Sequence, residues 1–223
     1  MKKLSIFFIL IFSISDSQQE KVNPKGKYFF GIDLGLAKSV GSGNNMETHQ
    51  NFAPGINAEY YFTKNLSVLA EIKYYKTNLA YSFSSSSSSG GWWTFDLSGS
   101  GDPYRALFFD GEMFSIPLFV KYQFAIYRNF RMNFGLGPNF SFETKSNYII
   151  PENPNADTSM FKKSYVNFTF REGLLYFLDE KSAIQISMEY NPGSPKGAYN
   201  GLLGRSVYRN ETIIWGLGYQ KRF

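Results

Sequence analysis

Cysteine is absent from the chain and histidine occurs once, as His49. The first absence excludes disulfides, thiol catalysis and cysteine-based zinc sites. The second leaves no histidine cluster to hold a metal. Charge is scarce as well, at 18% of residues against 19% aromatic, an unusual balance for a water-facing globule. Beyond the N-terminal segment, no apolar run approaches the roughly 18 residues of a helical membrane span. The basic residues behind the net charge of +5 are scattered, so they form no stripe for a nucleic acid, and no recognition motif accompanies them.

What the chain does have is rings, 23 Phe and 16 Tyr, with a mean hydropathy of only −0.27. Those values are compatible if apolar residues occupy alternate positions. They do. Tyr28, Phe30, Ile32, Leu34 and Leu36 alternate with Phe29, Gly31, Asp33, Gly35 and Ala37. Phe52, Pro54, Ile56, Ala58, Tyr60 and Phe62 form a second series, and Leu66, Val68, Ala70, Ile72 and Tyr74 a third. Five more follow, from Phe114, Phe130, Val166, Ile184 and Thr212 onward. Period two over such runs is the pattern of strands with one apolar face.

A soluble sandwich would alternate too, but these runs are longer than the roughly 5–6 residues of its strands. The connections decide between the two. Residues 63–65, 126–129 and 179–182 are short links, while 39–50, 84–110, 143–162 and 191–208 are long and polar. Short links alternating with long ones mark a transmembrane barrel with tight periplasmic turns and large outer loops. The expected fold is all-β: an eight-stranded antiparallel up-and-down transmembrane β-barrel. Both termini are then periplasmic, and the location is the outer membrane of a Gram-negative cell.

The first residues read as an export signal: basic Lys2 and Lys3, an apolar core from Leu4 to Phe12, and small Ser15 and Ser17 before a cleavage point at Gln18. Residues 1–17 are thus expected to be removed. Residues 18–26 form a short periplasmic segment, and 27–223 the barrel domain. With no cysteine after it, this is not a lipoprotein signal.

Aromatic pairs recur where strands meet the short links: Tyr60 and Phe62, Tyr122 and Phe124, Tyr176 and Phe177, Tyr219 and Phe223. Rings with a polar edge settle at the membrane–water boundary, so these eight are expected to form one interfacial girdle. One strand breaks the parity set by Phe168 and Phe170, because it turns Glu172 toward lipid. A β-bulge near Arg171–Gly173 is expected to correct this, sending Leu175 and Phe177 outward.

The opposite parity carries Asp33, Glu59, Glu71 and Glu189 against Lys73, Lys121, Arg131 and Arg171. An eight-stranded barrel is just wide enough for side chains to fill. Equal numbers of acids and bases there are expected to pair and plug the lumen; the alternative is a narrow pore or a binding cavity. Among the long loops, Trp92, Trp93 and Phe95 beside a serine run are candidates for contact with a partner or lipid headgroups, or for packing under the loop. Glu152 and Asp157 are too sparse for a calcium loop. His49, with Asp96, Ser98 or Asp102, is the one set from which a lipid A-modifying enzyme could be assembled; the simpler reading is a solvated loop histidine. No catalytic, cofactor or metal residues are assigned.

The stretch from Phe114 to Phe124, with Ile116-Pro117-Leu118 and Lys121-Tyr122, resembles the Ile-Pro-Leu-x-x-Lys-Tyr strand of the PorT-like outer-membrane β-barrel family. The likeness extends over most of residues 27–223. It implies a small barrel with no catalytic residues, and a role in type IX protein secretion for some members. Gly218 and Phe223 also resemble the C-terminal signal read by barrel-assembly machinery, with Lys221 standing where an apolar residue is usual. The functional expectation is a non-enzymatic structural or interaction protein working through its outer loops. Its surroundings are lipid bilayer and lipopolysaccharide, with assembly machinery and envelope proteins as partners. A secretion component and a lipid A-modifying enzyme are the alternatives.

Overall fold

The computed structural model describes residues 22–40, 50–84, 104–149, 164–192, 195–199, 206–209 and 211–223. The export signal, His49, Trp92, Trp93, Phe95, Asp96, Ser98, Asp102, Glu152 and Asp157 lie outside the described residues.

The strands are β1 (Tyr28–Val40), β2 (Gln50–Tyr61), β3 (Leu66–Ser84), β4 (Tyr104–Tyr127) and β5 (Phe130–Ile149), followed by β6 (Ser164–Phe177) and β7 (Ser182–Asn191). Then come β8 (Pro195–Tyr199), β9 (Ser206–Arg209) and β10 (Glu211–Arg222). Eight of them close into an antiparallel barrel in the order β1-β10-β7-β6-β5-β4-β3-β2, while β8 and β9 pair only with each other. Closure comes from β1 against β10, in register from Phe29↔Arg222 to Val40↔Glu211. A closed ladder leaves no unpaired strand edge, which lipid would not tolerate.

Alternation in the sequence becomes alternation across the wall. On β1, Phe29, Asp33, Ala37 and Ser39 are buried, and Tyr28, Phe30, Ile32, Leu34 and Leu36 are exposed. Exposed Phe, Tyr, Trp, Leu, Ile and Val side chains recur on every barrel strand from β1 to β7 and on β10, as in a lipid-facing band.

The short links are fixed by local side-chain hydrogen bonds. Thr63 Oγ1 accepts from the Asn65 and Leu66 amides at 3.1 and 2.9 Å. Asp179 Oδ1 accepts from the Lys181 amide at 2.6 Å. Between β4 and β5 the link is Arg128-Asn129, with Arg128 at φ 46°, and Asn129 Nδ2 donates to the Phe177 carbonyl at 2.9 Å. Such bonds give the backbone an alternative to the ladder where the ladder must end. Ahead of β1, Gly26 adopts φ 71°, a left-handed conformation that glycine enters without strain. Its amide donates to the Tyr61 carbonyl at 2.7 Å. This turn ties the N-terminal segment across the short-link end of the barrel.

The structure corrects the bulge. Pairing runs unbroken between β5 and β6 from Phe130↔Tyr176 to Phe142↔Ser164, and between β6 and β7 from Phe170↔Tyr190 to Phe177↔Ala183. Glu172 therefore faces outward. Leu175 and Phe177 face inward and are fully buried. Arg171 and Phe177 share one parity, and each is packed inside the barrel; a bulge between them would send one of the two out. That loss outweighs exposing one carboxylate. Register irregularities do occur, at Glu112/Met113 and Ala125/Tyr127 between β4 and β5.

Candidate functional site

The interior is built in layers along the barrel axis. At the short-link end, Val22, Phe29, Tyr61, Leu175, Phe177 and Ala183 form an apolar cluster. Phe29 meets Tyr61 and Phe177 edge-on, with ring centroids 5.5 and 6.0 Å apart. Arg131 roofs this layer. Its guanidinium carbon stands 5.1 Å from the centre of the Phe177 ring, and its two terminal nitrogens donate to the Lys64 and Val22 carbonyls, each at 2.6 Å. Backbone dipoles and a ring face thus help to satisfy the cation.

Next comes Glu59. Its Oε1 accepts from Ser67 Oγ at 2.5 Å and lies 2.9 Å from Lys121 Nζ. Its Oε2 accepts from Lys121 Nζ at 3.0 Å and from Gln220 Nε2 at 3.1 Å. Three hydrogen bonds and a second ion contact on one buried carboxylate offset much of its desolvation.

The central layer brings β1, β3, β6 and β7 together. Lys73 Nζ lies 2.9 Å from Glu71 Oε2 and 3.7 Å from Asp33 Oδ2, and it also donates to Glu189. Arg171 donates through Nη1 to Glu71 Oε2 at 3.0 Å and to Glu189, while Nη2 lies 3.5 Å from Asp33 Oδ2. Both cations touch all three acids. Two glycines on β10 make room for the cluster and its neighbours: a Cβ at Gly216 would stand 2.6 Å from Asp33 Oδ1, and one at Gly218 would stand 2.9 Å from Gln185. Toward the long-loop end the layer is polar and then apolar again. Ser39 and Thr77 share a hydrogen bond at 2.6 Å, Ser115 donates to Asn139 at 2.7 Å, and Ala37, Ala53, Tyr75, Met113, Tyr165 and Ile214 cluster.

All eight lumen charges named from the sequence are buried inside the barrel, none more than 3% exposed. The structure brings Asp33, Glu71, Glu189, Lys73 and Arg171 into one group and Glu59 with Lys121 into another. Arg131 meets the Lys64 and Val22 carbonyls. Carboxylate oxygens of Asp33, Glu71 and Glu189 lie within 4.8 Å of one another, a spacing that would suit a cation. Lys73 and Arg171 already stand among them at contact distance, and their charge repels a metal ion from that position. What the arrangement does chemically is hold strands together across the lumen.

Of the eight residues expected in the girdle, Tyr60, Phe62, Tyr122, Phe124, Tyr176, Tyr219 and Phe223 lie on the outer face. Tyr60 lies between Tyr28, tilted at 4.5 Å, and Phe62, edge-on at 4.9 Å, and Phe223 meets Phe30 at 5.8 Å. Phe177 is the exception, for the reason that excludes the bulge: it belongs to the inner apolar layer. The sequence reading missed this layer as a unit. Reading β6 straight through at period two would have placed Leu175 and Phe177 in it. Val22 carries no such signal, since it precedes every strand.

No protein-family model matches the chain, and no curated protein matches it. Solved structures do match it. Neisserial surface protein A from Neisseria superposes with a TM-score of 0.55 at 14% identity, covering 88% of this chain and 97% of that one. The fold is that of a small outer-membrane β-barrel. The outer membrane protein OprG from Pseudomonas aeruginosa is similar to this barrel at a TM-score of 0.53 and 12% identity, over 92% of this chain and 99% of that one. Ail, the attachment invasion locus protein of Yersinia pestis, is similar at 0.50 and 14%, over 89% and 99%. At such identities the likeness of the barrels is one of fold.

Proposed function

We propose that the protein is a rigid, non-enzymatic outer-membrane barrel whose lumen is a salt-bridged plug and whose long loops make contacts outside the cell. The observation that carries this reading is the layered interior. Two apolar clusters lie on either side of an ion-paired centre, in which Lys73 and Arg171 each engage Asp33, Glu71 and Glu189. A lumen built to pass ions would leave charges lining water instead of consuming them in pairs. In this reading the short links and both termini face the periplasm, and the lipid-facing rings anchor the barrel in phospholipid and lipopolysaccharide after insertion by the assembly machinery. One of the similar barrels is named for attachment, so the scaffold is compatible with contact work.

The test is planar-bilayer recording on the purified, folded protein. Steady conductance well above the lipid background would overturn the plug. Trimming residues 85–103 to a short link should leave the barrel folded and abolish binding of cells or envelope proteins; unaltered binding would remove that loop from the proposal.

A PorT-like secretion role is a second reading, resting on the Ile116-Pro117-Leu118 and Lys121-Tyr122 stretch. In the barrel that stretch is wall: Leu118 and Tyr122 face outward, and Lys121 holds Glu59. The motif therefore has a structural reason of its own, and this favours the first reading. Secretion by a deletion strain would separate the two. A lipid A-modifying enzyme would require His49, and an unchanged lipid profile in a His49→Ala strain would dismiss it.

A further inference from the structure

Among the described residues, the lipid-facing surface has one charged member away from its rims. Lys38, Lys76, Glu112 and Glu211 lie ten or more positions along their strands from the short-link end, and Lys221 stands at that end itself. Glu172 is different. It pairs across the ladder with Phe134 on one side and Met188 on the other. It lies four positions from Tyr176, the last outward residue of β6, which at a barrel's usual strand tilt is roughly 10 Å into a band about 25 Å tall. No hydrogen bond or ion pair reaches it among the described residues. The carboxylate also borders a concave surface. A groove of about 430 Å³ runs over β4 to β7, walled by Val120, Phe134, Leu136, Phe170 and Met188, with Gly135 in its floor.

We propose that this groove is an intramembrane docking site for the transmembrane segment of a second protein that presents one Lys or Arg to lipid at the same depth. Neither charge is stable alone in hydrocarbon, and each relieves the other. The groove has room for a long basic side chain, and the Phe134 and Phe170 rings offer it apolar walls and π faces. A second copy of this chain does not fit. Its described lipid face carries no cation at that depth, and two Glu172 side chains brought together would repel. The site is independent of the loop contacts proposed above, since it lies on the opposite kind of surface.

The experiment uses the full chain in native outer membranes, with a photo-crosslinking residue in place of Met188. The crosslinked peptide is identified by mass spectrometry. The expected result is an adduct with a membrane segment bearing an outward Lys or Arg. Its yield should fall by more than about tenfold in Glu172→Lys and return when the partner's cation is changed to Glu. If Glu172→Lys fails to assemble, judged by loss of the heat-modifiable gel shift, Glu172→Leu takes its place: loss of the adduct from the folded variant supports the site, and retention overturns it. Lipid adducts alone, an adduct with a second copy, a segment without a basic residue, or a yield indifferent to the substitution would each overturn the proposal.

Discussion

Arg171 and Glu172 are neighbours in sequence and opposites in circumstance. Arg171 points into the barrel, where Asp33, Glu71 and Glu189 surround it and the Phe119 ring lies 5.8 Å from its guanidinium. Glu172 points out among Phe134, Phe170 and Met188 with no partner among the described residues. One wall thus faces two solvents. Inside, a charge is stable because counter-charges are fixed within reach. Outside, ring and aliphatic surfaces leave a charge to be neutralised by another molecule. The difference teaches that the identity of a side chain matters less here than the face on which its parity puts it.

The most severe way to break the inner half of that comparison is Arg171→Met. Three carboxylates would be left with Lys73 alone. Removing one partner from a buried ion network costs about 3–5 kcal/mol, read as a lowered midpoint in guanidinium unfolding from lipid vesicles. Adding Glu189→Gln should recover part of the loss, because it removes a charge that Arg171 had neutralised. If the single variant unfolds like the parent, the central cluster does not hold the strands.

Crowding gives the next effect. Gly216 faces the same cluster, and a methyl there would press on Asp33 Oδ1 and Ser187 Oγ, 2.6 and 2.9 Å from the ideal Cβ. Gly216→Ala should therefore destabilise by about 1–3 kcal/mol, as overpacking does. An unchanged midpoint would mean that Asp33 has somewhere else to go.

A gentler comparison uses the other pair of β6 neighbours. Phe177 lies under Arg131 and against Phe29, whereas Tyr176 packs on Phe130 at the outer rim, 5.6 Å between centroids. Phe177→Leu should cost about 1–2 kcal/mol from lost packing and ring–cation contact, while Tyr176→Leu stays within about half a kcal/mol on an exposed face. Equal effects would put both rings in one environment and restore the girdle as eight residues.

That pair also marks how far the sequence could be read. The eight-stranded barrel follows from period two and from alternating link lengths, and both are local signals. The inward parity of Asp33, Glu59, Glu71, Lys73, Lys121, Arg131, Arg171 and Glu189 is local too. Their partners are not. Lys121 meets Glu59 and Arg131 meets the Val22 and Lys64 carbonyls only because of stagger between strands distant in sequence. The bulge expected near Arg171–Gly173 does not form because the inward packing of Arg171, Leu175 and Phe177 outweighs the lipid cost of Glu172. The long link expected over 84–110 ends earlier, because β4 begins at Tyr104, which pairs with Ser84.

The smallest effect has the opposite sign. In purified protein reconstituted alone into vesicles, Glu172 has only lipid beside it. A charged side chain at mid-depth costs a barrel up to about 2–4 kcal/mol when basic, and less when it is a carboxylate. Glu172→Leu removes that cost and adds apolar contact with Phe134 and Met188, so the unfolding midpoint should rise by the equivalent of about 1 kcal/mol. Glu172→Gln should fall between the two, because an amide keeps its polarity and loses only the charge. Arg171 carries the contrast: the same exchange of a charge for an aliphatic chain, one position earlier, should destabilise several times more strongly. Should Glu172→Leu instead weaken the isolated barrel, the carboxylate would have to be held by a group within this chain, and the outer half of the comparison would collapse.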